Sequence, residues 1–261
     1  MLKCRRCGTK RLWKLQSGKI RCANCKTSFR PRIGGVYVSQ RILKAVIVEF
    51  DLEHSTNVIL ERCAISKYKL LKLLTALRTE MTKDIPNVFS GIVEVDETYV
   101  GGKWKNKRLI TRKIAQRPKR GRGTLKQPVF GILCRGGQVW AELVAGVEAE
   151  DLQPLIERKV IRGSTVCSDG WRAYTGIAMK GYVHRLVDHG KEQYSDHRGS
   201  HINGLEGFWG YLKRKLVARG GIRVQRLHLF LGEYVWRHNH RKLPHKQRIK
   251  SLFKLLTSVH Y

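Results

Sequence analysis

GIVEVDETYVGGKWKNK, residues 91–107, sets three carboxylates, Glu94, Asp96 and Glu97, inside an apolar run of a chain with 52 Lys+Arg against 20 Asp+Glu. The alternation reads as a half-buried strand, with Ile92, Glu94 and Asp96 on one face and Val93, Val95 and Glu97 on the other. Two acids on one half-buried face repel each other and resist ionisation unless a cation neutralises them. Lysine, arginine or a divalent metal can fill that role. Glu94 accordingly reads either as an auxiliary metal ligand beside Asp96 or as one half of an ion pair with a lysine.

Outward from this strand the texture stays β-rich. PVFGILCRGG (128–137), QVWAELVAGV (138–147), STVCSDGW (164–171) and GYVHRLVDHG (181–190) complete five strands, with EDLQPLIERKV (150–160) a helix between the third and the fourth. The predicted order is three consecutive strands, helix, strand, helix, strand, helix. In that order the first and fourth strands are neighbours, so Asp96 and Asp169 lie side by side, and a helix from HINGLEGFWGYLKRKL (201–216) brings Glu206 across them. An all-oxygen set suits Mg2+ or Mn2+ rather than zinc. Each acid also has a plainer reading: Asp169-Gly170 fits a turn, and Asn203 with Glu206 fits a capping box. Trp171, Tyr174, Phe208 and Trp209 read as core residues before base-stacking platforms. Cys63, Cys134 and Cys167 likewise read as core.

The first 33 residues are different. Cys4, Cys7, Cys22 and Cys25 form two Cys-x2-Cys pairs fourteen residues apart, with a hairpin turning at Ser17-Gly18 between them. This is the pattern of a zinc ribbon, whose closed four-sulfur site makes the zinc structural. Residues 36–82 follow helical spacing, with 84–90 a linker: Ser55, Thr56 or Asn57 caps one helix and Ser66 the next, about a turn at Ala64-Ile65. The pair resembles a helix-turn-helix, with Lys67, Lys69, Lys72 and Arg78 as its cationic face, and an ordinary packing unit with a solvated basic face fits the same residues. The predicted organisation is a zinc ribbon at 1–33, a helical DNA-binding segment and linker at 34–90, and an α/β catalytic domain at 91–261. In the last, a loop at 101–127 carries eleven Lys+Arg and no acid. That loop grips phosphates or is a solvated insertion. His184, His189, His197 and His201 offer a second zinc site, but their spacing matches no compact ligand pattern.

A formal net charge of +32 calls for a polyanionic partner, and nucleic acid is the first such class. No apolar run approaches the roughly 20 residues of a membrane span, and MLKCRRCG lacks a signal peptide's apolar centre. The sequence therefore predicts a cytoplasmic protein without a membrane partner, in which seven cysteines are thiols or metal ligands.

VEVDETYVGGK, SDGWRAY and HINGLEGFWGYLKRKL, with 36 residues between Asp169 and Glu206, resemble the Asp-Asp-Glu transposases of bacterial insertion sequences that carry an N-terminal zinc ribbon. The likeness runs along nearly the whole chain. It implies a ribonuclease H-like mixed sheet flanked by helices and an enzyme that cleaves the ends of its element and joins them to target DNA. It further implies two Mg2+ or Mn2+ ions on Asp96, Asp169 and Glu206, and a catalytic lysine at Lys213. DNA as partner, a homodimer or larger assembly on it, and association with the bacterial nucleoid are implied too. EYVWRHNHR, Glu233 to Arg241, matches a further family segment of open role. A nuclease that cuts without joining, and a zinc-ribbon regulator with an inactive nuclease-like domain, are the alternatives.

Overall fold

The structure, a computed structural model, describes residues 3, 4, 6–102, 109, 126–187 and 203–260, with the side chains of 203, 259 and 260 excluded. Most of the basic loop, together with His189, His197 and His201, lies outside the described residues. The chain divides into two compact units, 1–84 with 240–261, and 85–239.

The first unit opens with a three-stranded antiparallel sheet, β1 (Leu12–Lys14), β2 (Ile20–Cys22) and β3 (Ser28–Phe29), in that order. The turn between β1 and β2 falls on Gly18, whose φ of 72° favours glycine. Three helices follow, α1 (Gln40–Asp51), α2 (Thr56–Arg62) and α3 (Lys67–Lys83), each entered through a serine whose hydroxyl accepts an amide of the first turn: Ser39, Ser55 and Ser66. Leu43, Val46, Ile47, Leu70, Leu73 and Leu77 are fully buried among them. Lys67, Lys69 and Lys72 are exposed on α3, whereas Arg78 is half-buried and sits over the Phe50 ring at 5.7 Å. The last helix of the chain, labelled α7 below, also belongs to this unit, where it packs on α1 and α3. Its anchor is Asp51, whose buried carboxylate accepts from His245 Nδ1 at 2.7 Å and from Arg248 Nη2 at 2.9 Å. A buried carboxylate persists only when so paired.

The second unit is built on a five-stranded mixed sheet. Its strands are β4 (Ile92–Val100), β5 (Gln127–Cys134), β6 (Val139–Leu143), β7 (Thr165–Ser168) and β8 (Val183–Leu186). The sheet order is β6-β5-β4-β7-β8, with β4, β5 and β6 antiparallel in sequence and β7 and β8 parallel to β4. This is the ribonuclease H-like mixed sheet expected, with β4 and β7 adjacent. Helix α4 (Ala149–Lys159) covers one face through Leu152 and Ile156, against Val93, Val95 and Phe130. Helices α5 (Asn203–Ala218) and α6 (Val224–Asn239) cover the other, where Leu205, Phe208, Trp209, Leu212, Leu231 and Tyr234 meet Val100, Val129 and Leu133. Helix α7 (His245–His260) follows.

One expected helix is absent. Between β7 and β8 the chain makes two 3-10 turns, Arg172–Tyr174 and Ile177–Lys180, because Gly176 and Gly181, at φ 82° and 92°, interrupt a stretch already too short for a stable α-helix. The EYVWRHNHR segment has a structural role in α6. Glu233 is fully buried and accepts from Arg237 Nε at 3.0 Å, and Asn239 pairs with both backbone groups of Val139 on edge strand β6.

Candidate active site

Strand alternation sends the acids of β4 to opposite faces, as read from sequence. Glu94 and Asp96 face α5, and Glu97 faces the α4 side. Glu94, read from sequence as an auxiliary ligand or a lysine partner, meets a helix end. At 1% exposure its carboxylate accepts the backbone N–H of Leu205 at 2.9 Å, and a Cβ at Gly204 would come within 3.0 Å of it. A helix begins with unpaired amides and a partial positive charge, so a buried anion there is stabilised. Glu94 thus docks the first turn of α5 onto the sheet.

Two residues further along β4, half-buried Asp96 accepts a hydrogen bond from Trp209 Nε1 at 2.9 Å. Asp169 follows directly on β7, and its Oδ1 accepts the Trp171 amide at 3.0 Å. The turn read at Asp169-Gly170 is therefore present, and it orients the carboxylate. Continuing the parallel register Glu94↔Cys167 by two residues sets Asp169 beside Asp96. Their proximity is felt electrostatically. Burial, then the charge of Glu97, and more weakly that of Asp169 push the Asp96 carboxyl up to about 7, against the lowering by the Trp209 N–H. Tyr174, fully buried, donates its hydroxyl to Glu97 at 2.8 Å, and burial with the charges of Glu97, Asp96 and Asp169 lifts its phenol well above the usual range.

Residues 88–239 match the family model described as the ISXO2-like transposase domain. The chain belongs to that family of insertion-sequence DDE transposases. A transposase-like protein of Haemophilus influenzae is 30% identical over 119 residues, covering 46% of this chain and 94% of that protein. A protein in transposable element ISH50 of Halobacterium salinarum is 26% identical, with 90% of each chain covered. Among solved structures, the Mos1 mariner paired-end complex with Mn is a distant likeness, at 14% identity and a TM-score of 0.29. The match covers 86% of this chain, which spans 64% of the length of that one.

On this transposase domain Glu206 lies exposed in the first turn of α5. Trp209 follows three residues on and Lys213 four more, so the three share one stripe of the helix, with Trp209 in contact with Asp96. Exposed Lys213 is flanked closely enough that burial lowers its ammonium pKa, while Asp96 raises it and Lys126 lowers it. Lys215 turns off the stripe and lies over the Tyr211 ring at 5.8 Å. Ser168, fully buried at the end of β7, pairs with His184 Nε2 at 2.9 Å, and burial lowers the pKa of that imidazole.

Among the described residues, Cys4, Cys7, Cys22 and Cys25 are the one group of three or more potential ligands whose atoms all lie within 4.8 Å of one another. This thiol cluster has the donor set for zinc. Asp96, Asp169 and Glu206 are not drawn to that distance. Their all-oxygen set, with the Asp96 carboxyl raised by burial and then by like charge, nonetheless suits a hard divalent cation, which would relieve the repulsion. Among the described residues, no helix is long and apolar enough to cross a membrane.

Tyr174, Trp209 and Gly131 carry site geometry that sequence reasoning missed. Gly131 had a legible signal, since a glycine in mid-strand marks a close approach. The other two read as core residues.

Proposed function

We propose that this transposase cleaves the ends of its own insertion sequence and joins them to target DNA by phosphoryl transfer that depends on Mg2+ or Mn2+. The observation that supports this reading is the placement of Asp96 and Asp169 side by side on the parallel strands β4 and β7, with Asp96 pushed up to about 7, in a chain of net charge +32. An acidic centre in a strongly basic protein is what a metal-dependent enzyme acting on a polyanion requires.

In this proposal Asp96 and Asp169 hold the metal from neighbouring strands and Glu206 from the first turn of α5. Two ions held by these residues would supply activation of the attacking water or DNA 3'-hydroxyl and charge stabilisation for the departing oxygen. Lys213, on the same stripe as Glu206, pairs with a phosphate of the bound strand and so fixes its position. Cys4, Cys7, Cys22 and Cys25 hold one structural zinc. The helical segment of 34–90 supplies DNA contact through exposed Lys67, Lys69 and Lys72, and the basic loop of 101–127 grips phosphates. Two element ends have to be paired, which calls for a homodimer or larger assembly on DNA, at the bacterial nucleoid.

The test uses duplexes carrying the inverted repeats that flank the gene, mixed with the zinc-loaded full-length chain, a target plasmid and Mg2+. Cut ends joined to plasmid are the expected products. Cuts without joined product point to a nuclease, and binding without any cut points to a regulator.

A further inference from the structure

Asp96 stands on a strand, where its carboxylate is free to rotate unless something holds it. The indole of Trp209 reaches it across the gap between helix and sheet. Trp209 is 4% exposed, and a buried indole N–H requires an acceptor, which Asp96 Oδ2 provides at 2.9 Å. Gly131 is the residue directly opposite Asp96 on β5. Its backbone has none of the left-handed character that calls for glycine, yet a Cβ there would lie 2.6 Å from Cζ2 and Cη2 of the indole. Space, rather than conformation, excludes a side chain at position 131. The glycine slot, the wedged ring and the hydrogen bond form one device.

We propose that Trp209 is a positioning residue for Asp96, seated through the slot at Gly131, and that it sets both the plane of that carboxylate and the placement of the α5 stripe bearing Glu206 and Lys213. The proposal rests on the reading of Asp96 as a metal-holding carboxylate. With Oδ2 engaged by the indole, the orientation of Oδ1 is fixed as well, and Glu206 and Lys213, one turn to either side of Trp209, are brought to a set height over β4. Phenylalanine at 209 would keep an aromatic ring in the core, at smaller volume, and donate no hydrogen bond to Asp96.

The test is Mn2+ binding to the zinc-loaded full-length chain, read by the loss of the free hydrated-ion signal in electron paramagnetic resonance. Trp209→Phe keeps an aromatic ring in the core and removes the N–H. It is expected to weaken Mn2+ binding by about 10-fold or more, while metal-free unfolding stays cooperative with a midpoint lowered by the smaller ring. Gly131→Ala, which pushes the ring away, is expected to weaken it in the same direction. Wild-type affinity in Trp209→Phe overturns the inference and leaves the metal reading intact. A wild-type chain whose Mn2+ binding is indifferent to Asp96→Asn overturns both. If Trp209→Phe does not fold, the wild-type indole resonance decides: Mg2+ is expected to shift the Trp209 N–H signal in the wild type and not in Asp96→Asn, and a signal indifferent to Mg2+ overturns the inference.

Discussion

The carboxylate of Glu94 and the backbone amide of Leu205, 111 residues apart in sequence, are joined by a buried hydrogen bond of 2.9 Å. That bond ties the first turn of α5, and so Glu206, to the strand that carries Asp96. Glu94→Gln removes the charge at the helix N-terminus and weakens a charge-assisted bond, at a cost of about 1–3 kcal/mol. Thermal unfolding is expected to show a lower midpoint with Mn2+ binding retained. Loss of Mn2+ binding in a chain of unchanged stability would instead make Glu94 a ligand.

Asp96 gives the metal-free chain a pH signature. Its folded pKa of about 7 lies above the unfolded value of about 4. Over that interval the folded state keeps a proton that the unfolded chain has released, so stability falls as pH rises from about 4 to about 7. The destabilisation is absent below that window and complete above it, at no more than about 4 kcal/mol. Asp96→Asn, whose amide oxygen still accepts the Trp209 N–H, is expected to raise the metal-free unfolding midpoint at pH 8 and to leave it unchanged at pH 4. Added Mg2+ at pH 8 should stabilise the wild type and not the variant. Equal midpoints at pH 8 would show that Asp96 carries no buried-charge penalty.

The four-cysteine cluster predicts one zinc per chain, found by metal analysis of reduced, freshly purified protein. Cys22 is fully buried, so Cys22→Ser is expected to unfold the ribbon and lose the zinc. Mn2+ binding at the acidic site should persist. A zinc-free, folded wild type would contradict the assignment.

How much of this was legible in the sequence follows from how local each signal is. The serine caps at Ser55 and Ser66, the cysteine pairs and the alternation along β4 are short-range patterns, and the structure repeats them. The sheet order followed from the sequence of strands, because a long connection is what lets β7 pair with β4 in parallel. The two 3-10 turns stand where a helix was expected between the fourth and fifth strands, because glycines cut a connection too short to sustain one. The partner of Asp51 lies 194 residues away in His245, and no local pattern announces such a pairing. Glu94 and Trp209 were ambiguous for the same reason. Whether a strand carboxylate binds a cation or a helix end depends on what a distant segment brings to it.

Lys213 and Lys215 separate a positioning role from bulk charge. Both are cationic, but Lys213 lies on the Asp96 stripe, while Lys215 stacks over Tyr211. Lys213→Ala is expected to slow cleavage at an element end more than it weakens general DNA affinity. Lys215→Ala should lower affinity slightly, with no specific loss of cleavage. If the two variants behave alike across a salt titration, Lys213 contributes charge alone.

Cleavage of an element-end duplex by Glu206→Gln tests the central claim, that Asp96, Asp169 and Glu206 together hold the metal that drives strand cleavage. Glutamine at a capping position is tolerated, because its amide oxygen still reaches a backbone amide, whereas a lost ligand charge costs several kcal/mol of barrier. The account predicts that Glu206→Gln binds the duplex as tightly as wild type and cleaves it at least about a hundredfold more slowly in Mg2+, as Asp96→Asn and Asp169→Asn do. Near-wild-type cleavage by Glu206→Gln would contradict it.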